Sequence, residues 1–229
     1  MTPRFALHID GEDRASARDA WLPVFDPCTG APWADVAAAD AADAEAAVAA
    51  AQRAAPAWAA QKPSERARWL ERIADALETE AESFVALESR DTGKPLALCR
   101  EIEIPRAVAN LRFFAAAART FGSESQHGEA GLNIVLRPPL GVVATISPWN
   151  LPLYLFTWKL APALASGCTV VAKPSEVTPA TATAFAQLAT RIGLPRGVLN
   201  VVHGEGAVIG EALVRNPAIK AVSFTGSTA

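Results

Sequence analysis

From Gly141 onward, four short segments rich in apolar and β-branched residues alternate with longer stretches of helical pattern. The short segments are Val142 to Ile146, Thr169 to Ala172, Val198 to Val202 and Ala221 to Phe224. Between them lie Leu153 to Ala165, Ala180 to Ile192 and Ala207 to Arg215. A strand that is apolar at nearly every position, not at alternate ones, needs cover on both faces. Parallel strands joined through helices meet that need, because each right-handed crossover lays a helix on the sheet. The expected fold class is therefore α/β, an open parallel sheet flanked by helices.

The front of the chain adds layers to that sheet. Phe5 to Ile9, Leu22 to Phe25 and Trp33 to Ala37 read as short strands, with a turn at Asp10-Gly11. They predict a small antiparallel pair that caps the domain and stays out of its core. Asp40 is placed to cap a helix running to about Trp58, because its carboxylate can accept from free backbone N–H groups. Pro63-Ser64-Glu65 starts a second helix, whose Leu70, Ile73 and Leu77 share one face and which continues to about Arg90. Gly93 supplies a left-handed stop. Pro105 suits the first turn of a third helix reaching about Phe121. Gly122 to Gly131 is polar and turn-rich, and one short strand, Leu132 to Arg137, follows ahead of Pro138-Pro139. A proline pair excludes a central strand, so this segment is expected to be an arm.

Composition removes several function classes. The 229 residues carry a net charge of -3 with Lys and Arg scattered, so no basic field draws nucleic acid or anionic lipid. No apolar run approaches ~20 residues, and no membrane span is expected. The Met1-Thr2-Pro3-Arg4 start runs straight into a strand pattern without the form of a signal peptide. Cys28, Cys99 and Cys168 are sparse, odd in number and far apart, which argues for a reducing, cytoplasmic setting. Neither they nor His8, His127 and His203 have metal-ligand spacing, so no metal is expected.

Ligands of open parallel sheets bind beyond the carboxyl ends of the strands. Four polar turns sit there: Ser147-Pro148-Trp149-Asn150, Lys173-Pro174-Ser175-Glu176, His203-Gly204-Glu205-Gly206 and Thr225-Gly226-Ser227. Singly, each has a plain alternative. Asn150 is a good turn former, Lys173 reads as a solvated lysine, and Glu176 as a carboxylate at a helix start. Gly204, Gly206 and Gly210 miss the dinucleotide fingerprint spacing, and Gly226-Ser227 reads as a cap.

Taken together, in order and spacing, the turns resemble one family. Ser147-Pro148-Trp149-Asn150-Leu151-Pro152-Leu153, Lys159-Leu160-Ala161-Pro162, Gly167-Cys168-Thr169-Val170-Val171-Ala172-Lys173-Pro174-Ser175-Glu176 and Phe224-Thr225-Gly226-Ser227-Thr228 are similar to the aldehyde dehydrogenase superfamily. Thr92-Gly93-Lys94-Pro95 and Asn110-Leu111-Arg112-Phe113-Phe114 extend the likeness to the helical front. The resemblance covers essentially the whole chain. It implies a Rossmann-like NAD-binding domain over residues 1–229, with residues 123–138 as an arm that bridges subunits of a homo-oligomer. Asn150 would donate to the oxyanion formed when a thiolate attacks an aldehyde. Lys173 and Glu176 would hydrogen-bond the adenosine ribose. Since Glu176 would repel a 2′-phosphate, NAD is the expected cofactor and NADP the alternative. Gly206 would let the cofactor approach, Ile146, Trp149, Phe224 and Thr225 would border it, and Gly226 and Ser227 would meet its pyrophosphate. The Asn150-Leu151-Pro152-Leu153 run points to the branch that acts on muconic semialdehydes.

In that family the nucleophilic cysteine and the water-activating glutamate lie downstream of Phe-Thr-Gly-Ser, where this sequence stops. The expectation is the cofactor-binding half of an enzyme that oxidises an aldehyde to a carboxylic acid, without its catalytic domain and inactive alone. Cys168, at the start of a buried strand, reads as structural. Cys99, near a helix start, has no base beside it. The Ala221 to Phe224 strand would be an apolar edge that invites association. Two further readings stay open: an inactive NAD-binding or subunit-pairing module, and a CoA-acylating relative on the same scaffold.

Overall fold

The computed structural model describes residues 2–129 and 131–226. The first expected strand divides in two. β1 (Arg4–Phe5) runs parallel to β5 (Pro32–Ala37), which pairs antiparallel with β4 (Trp21–Phe25). β2 (Leu7–Ile9) instead enters the main sheet, so the amino-terminal strands are more than a cap. Leu7, His8 and Ile9 are all buried. His8 survives burial because Nδ1 meets Asp13 Oδ1 at 2.6 Å and Nε2 meets Thr190 Oγ1 at 2.8 Å. Asp10 and Gly11 both take positive φ, 56° and 74°, the backbone of a two-residue hairpin turn. That turn leads into β3 (Glu12–Arg14), which the sequence hid because all three residues are charged and exposed.

α1 (Ala41–Ala59) opens on the expected cap. Asp40 accepts from Ala42 N and Asp43 N, and the Asp43 carboxylate takes the Asp40 N–H in return. The helix expected from Pro63 to Arg90 is two helices, α2 (Pro63–Thr79) and α3 (Ala81–Thr92), broken at Glu80 (φ −96°, ψ 15°). Leu77, Phe84 and Val85 keep a single helical phase across the break, which conceals it from periodicity. α3 stops on Gly93 at φ 74°, where an added Cβ would stand 2.8 Å from Pro27 Cγ. A short turn, α4 (Leu96–Leu98), and a π-helical turn at Cys99–Glu103 lead into α5 (Ile104–Thr120). The expected strand at Leu132 is half of a hairpin, β6 (Ser125–Gly128) and β7 (Gly131–Ile134), exposed along its whole length. It ends at Ile134, short of the Arg137 anticipated.

β8 (Val142–Ile146), α6 (Pro152–Ala165), β9 (Thr169–Lys173), α7 (Ala180–Arg191) and β10 (Leu199–Val201) follow as predicted. A π-helical turn at Gly206–Gly210 precedes the short α8 (Glu211–Arg215) and then β11 (Ile219–Phe224). The six-stranded sheet has the order β11-β8-β9-β10-β2-β3, with β11, β8, β9 and β10 mutually parallel. Both faces are covered. Val143, Val170 and Ala172 pack with Leu70, Leu111, Phe156, Leu160 and Phe185 in the layer of α2, α3, α5, α6 and α7, which Trp58 from the end of α1 also joins. Val142, Ala144 and Val171 pack with Val48, Ile209 and Leu213 in the layer of α1 and α8. Each fully buried Leu, Ile, Val or Phe contributes about 1.5–3 kcal/mol of transfer free energy. Among the described residues, no helix is long and apolar enough to cross a membrane.

Candidate functional site

The connections divide between the layers. Chain growth runs from β8 to β9 to β10 through α6 and α7 on one face, then reverses through α8 on the other to place β11 beside β8. The strand order thus switches direction between β8 and β11, and such a switch opens a crevice beyond the carboxyl ends of the strands. Ile146 lies in register with Phe224 on one side and Lys173 on the other, so three of the expected residues stand in a row across the sheet. Backbone bonds extend the sheet one residue into the turns: Thr225 N–H donates to Ile146 O (3.1 Å) and Ser147 N–H to Lys173 O (3.1 Å).

Lys173 and Glu176 form a compact polar centre. Lys173 is 3% exposed and its Nζ is 2.5 Å from Glu176 Oε2. Burial, the largest influence on Glu176, works to raise its pKa. It is outweighed by the Lys173 hydrogen bond and charge and by the backbone N–H groups of Glu176 and Gly206, and the net pKa lies below the usual value. The carboxylate is therefore ionised at neutral pH. Gly206 faces the same pair: a Cβ there would stand 3.8 Å from Lys173 Nζ, and one on Gly210 would stand 3.9 Å from Ile146 Cδ1. The two glycines thus bring backbone close to the buried ammonium and to the strand end. His203 is fully buried, its Nε2 2.9 Å from Thr183 Oγ1 and its carbonyl accepting from Ala39 N–H. Burial, assisted by Lys173, pushes its pKa down to about 3, so it adds no charge.

Trp149 and Asn150 lie together on the turn after β8, and both are exposed. Trp149 is 61% exposed and so is not a core tryptophan. Its carbonyl accepts from Thr178 Oγ1 at 3.2 Å, tying this turn to the one that carries Glu176. Gly226 follows Thr225 at the end of the described segment, and Ser227 lies outside the described residues.

One residue of this centre was missed in the sequence. Lys159 is 6% exposed on α6, and its Nζ donates to Thr225 Oγ1 at 2.5 Å. Burial lowers its pKa. The available signal was that Lys159 is the one charged residue of an otherwise apolar helix. The cysteines stand apart from the site. Cys168 is buried at the amino end of β9, away from the turns, with Ser166 Oγ 3.6 Å from its sulfur. Cys99 is buried, and desolvation, then Glu88, push its thiol up to about 11, the opposite of activation by a helix start. Cys28 is exposed on the amino-terminal layer.

Comparison with known proteins points to one family. The model of the aldehyde dehydrogenase family matches residues 14–229. The human 2-aminomuconic semialdehyde dehydrogenase is 47% identical over 210 residues, covering 91% of this chain and 43% of that protein. The aminoacetaldehyde dehydrogenase of Pseudomonas aeruginosa is 42% identical over 224 residues, covering 96% and 45%. Among solved structures, PnpE in complex with nicotinamide adenine dinucleotide superposes over 100% of this chain and 47% of its own, at 42% identity and a TM-score of 0.95. The chain thus spans less than half the length of the curated relatives it matches.

Proposed function

The chain belongs to the aldehyde dehydrogenase family, and from that premise we propose that it forms the NAD-binding part of an oxidoreductase that converts an aldehyde to a carboxylic acid. The observation that carries this is the Lys173–Glu176 pair at the strand ends, with Gly206 beside it. An ammonium and an ionised carboxylate side by side offer a donor and an acceptor to a vicinal diol, which is what a nucleotide ribose presents. The negative Glu176 disfavours a 2′-phosphate, so NAD is preferred over NADP. Ile146, Trp149, Phe224 and Thr225 border the cofactor, and Gly226 with Ser227 takes the pyrophosphate. Bound NAD supplies the hydride acceptor.

Asn150, exposed on its turn, donates its side-chain amide to the developing oxyanion of the aldehyde. Lys159 fixes Thr225 and with it the turn after β11. None of the three cysteines is placed to attack a carbonyl, so the thiolate comes from residues other than these. Substrates of the semialdehyde class fit the likeness to the 2-aminomuconic enzymes. The exposed hairpin β6–β7, with Leu132 and Ile134 at 61% and 59% exposure, is the surface we assign to pairing with a second subunit. Three free cysteines suit a cytoplasmic setting.

The test is complementation. The chain is mixed with the separately produced carboxyl half of a family member, and NADH is followed with a panel of aldehydes. NADH should form, and Asn150→Ala should cut kcat by roughly 100-fold. An absence of NADH from every aldehyde, with both halves folded and associated, would overturn the proposal.

A further inference from the structure

α3 carries two acidic residues inside the protein: Glu88 is 0% exposed and Asp91 3%. Neither lies at the cofactor turns, yet both reach the helix that follows them. Ala180 N–H, at the start of α7, donates to Asp91 Oδ2 at 2.9 Å. Thr181 Oγ1 donates to Glu88 Oε2 at 2.8 Å. The residue before α7 is Pro179, which has no side chain able to cap it, so α3 supplies from a distance the acceptor that a helix start requires.

Those contacts hold one end of the loop Pro174 to Pro179. Its other end is held by the sheet, through Ser147 N–H on Lys173 O. Within the loop, Val177 N–H donates to Ser175 Oγ and Thr178 N–H to Ser175 O, both at 3.3 Å. Proline at each end restricts the backbone further. The loop carries Glu176 on one side and, on the other, the buried Thr178, whose hydroxyl holds the Trp149 carbonyl. Two hydrogen bonds joined by the Thr178-Pro179-Ala180 backbone therefore connect Asp91 to the peptide preceding the Asn150 side chain.

We propose that Asp91, supported by Glu88, is a positioning residue that sets the loop from Pro174 to Pro179 and thereby holds Glu176 and Asn150 in a fixed mutual geometry. The inference rests on the roles given to Glu176 and Asn150 above. Other titratable groups face the two carboxylates. Lys94 lies just after α3, its Nζ 3.3 Å from Glu103 Oε1, and Cys99 and Glu103 come from the π-helical turn. From α6 and α7, Leu153, Ala180 and Thr181 approach them.

The experiment uses the nitrogen-15-labelled 229-residue chain with three single variants. Asp91→Asn keeps an acceptor oxygen, Asp91→Ala removes it, and Thr178→Val removes the hydroxyl at nearly constant volume. The readouts are the Asn150 side-chain amide and Trp149 indole resonances without ligand, and a separate NAD titration. Asp91→Ala and Thr178→Val should both displace the two resonances, and Asp91→Ala should weaken NAD roughly fivefold, the value of one ordinary hydrogen bond. Asp91→Asn should restore affinity to within about twofold. In the wild type the Ala180 N–H and Asn150 signals should follow titrations near pH 7, of which Asp91→Asn leaves the Glu88 part and Asp91→Asn combined with Glu88→Gln leaves none. Coincidence of the Asn150 and Trp149 signals in wild type, Asp91→Ala and Thr178→Val would overturn the proposal. Should Asp91→Ala fail to fold, Thr178→Val against Asp91→Asn decides. A wild type that binds no NAD would sink the proposed function, while the ligand-free resonances would still judge the positioning role.

Discussion

Replacing Glu88 by Gln should invert the usual consequence of removing a buried acid: the protein should gain stability at alkaline pH. Burial is the main influence on Glu88, raising its carboxyl from the ordinary 4.5 to about 7. Thr181 and Lys94 oppose the rise, and Glu103 adds to it. The fold therefore keeps a proton that the unfolded chain releases. Below about pH 4.5 both states are protonated and Glu88 imposes no dependence. Stability then falls as pH rises toward 7, and the loss levels off above that. The difference between 7 and 4.5 corresponds to about 3 kcal/mol at 1.36 kcal/mol per pH unit. Glu88→Gln removes this loss. It also leaves part of an amide without a partner, since Glu88 Oε1 has none, at a pH-independent cost of roughly 1–3 kcal/mol. The assay is urea unfolding of both proteins at about pH 5 and about pH 8.5, read by circular dichroism. The variant should be less stable than wild type, or equal to it, at the lower pH. Between the two conditions its relative stability should improve by about 3 kcal/mol, a shift of roughly 1 M in urea midpoint difference. Parallel pH profiles would show that Glu88 ionises normally and that the burial argument fails.

Gly206→Val should abolish NAD binding by at least about tenfold, since its side chain would grow toward Lys173 Nζ, while the melting temperature changes by only a few degrees; calorimetry and a thermal melt check both. In thiol labelling of the native protein, Cys28 should react at once, whereas Cys99 and Cys168 should wait for unfolding; prompt modification of Cys99 would contradict its burial. β11 is an edge strand with Val222 and Phe224 exposed at 42% and 60%. Val222→Lys should lower the aggregated fraction in light scattering at unchanged fold.

How much was legible in the sequence followed from what each residue faces. β8 and β9 could be placed from apolar runs alone because neighbouring positions, such as Val142 and Val143, serve opposite layers. The capping pair Asp40 and Asp43 was legible because a helix start has local chemistry. β3 was not, because a strand held by His8 to Asp13 and by its turn has no apolar residue of its own to announce it. The break at Glu80 was masked by apolar residues that stay in phase across it. At the site, four turns could be recognised together because the parallel order brings their ends to one side. The places of Lys159, Glu88 and Asp91 were not legible for a shared reason: a charged residue in a helix does not announce its partner, and only tertiary structure shows that these three are buried against Thr225, Thr181 and Ala180.

The central claim is that the strand-end turns around Glu176 hold a dinucleotide. Calorimetric titration of NAD into the wild-type chain and into Glu176→Ala tests it most directly. Saturable binding at one site in the wild type, weakened by about tenfold in the variant through loss of a charged hydrogen bond, is the expected result. No binding by the folded wild type, or equal affinity in both proteins, would contradict it.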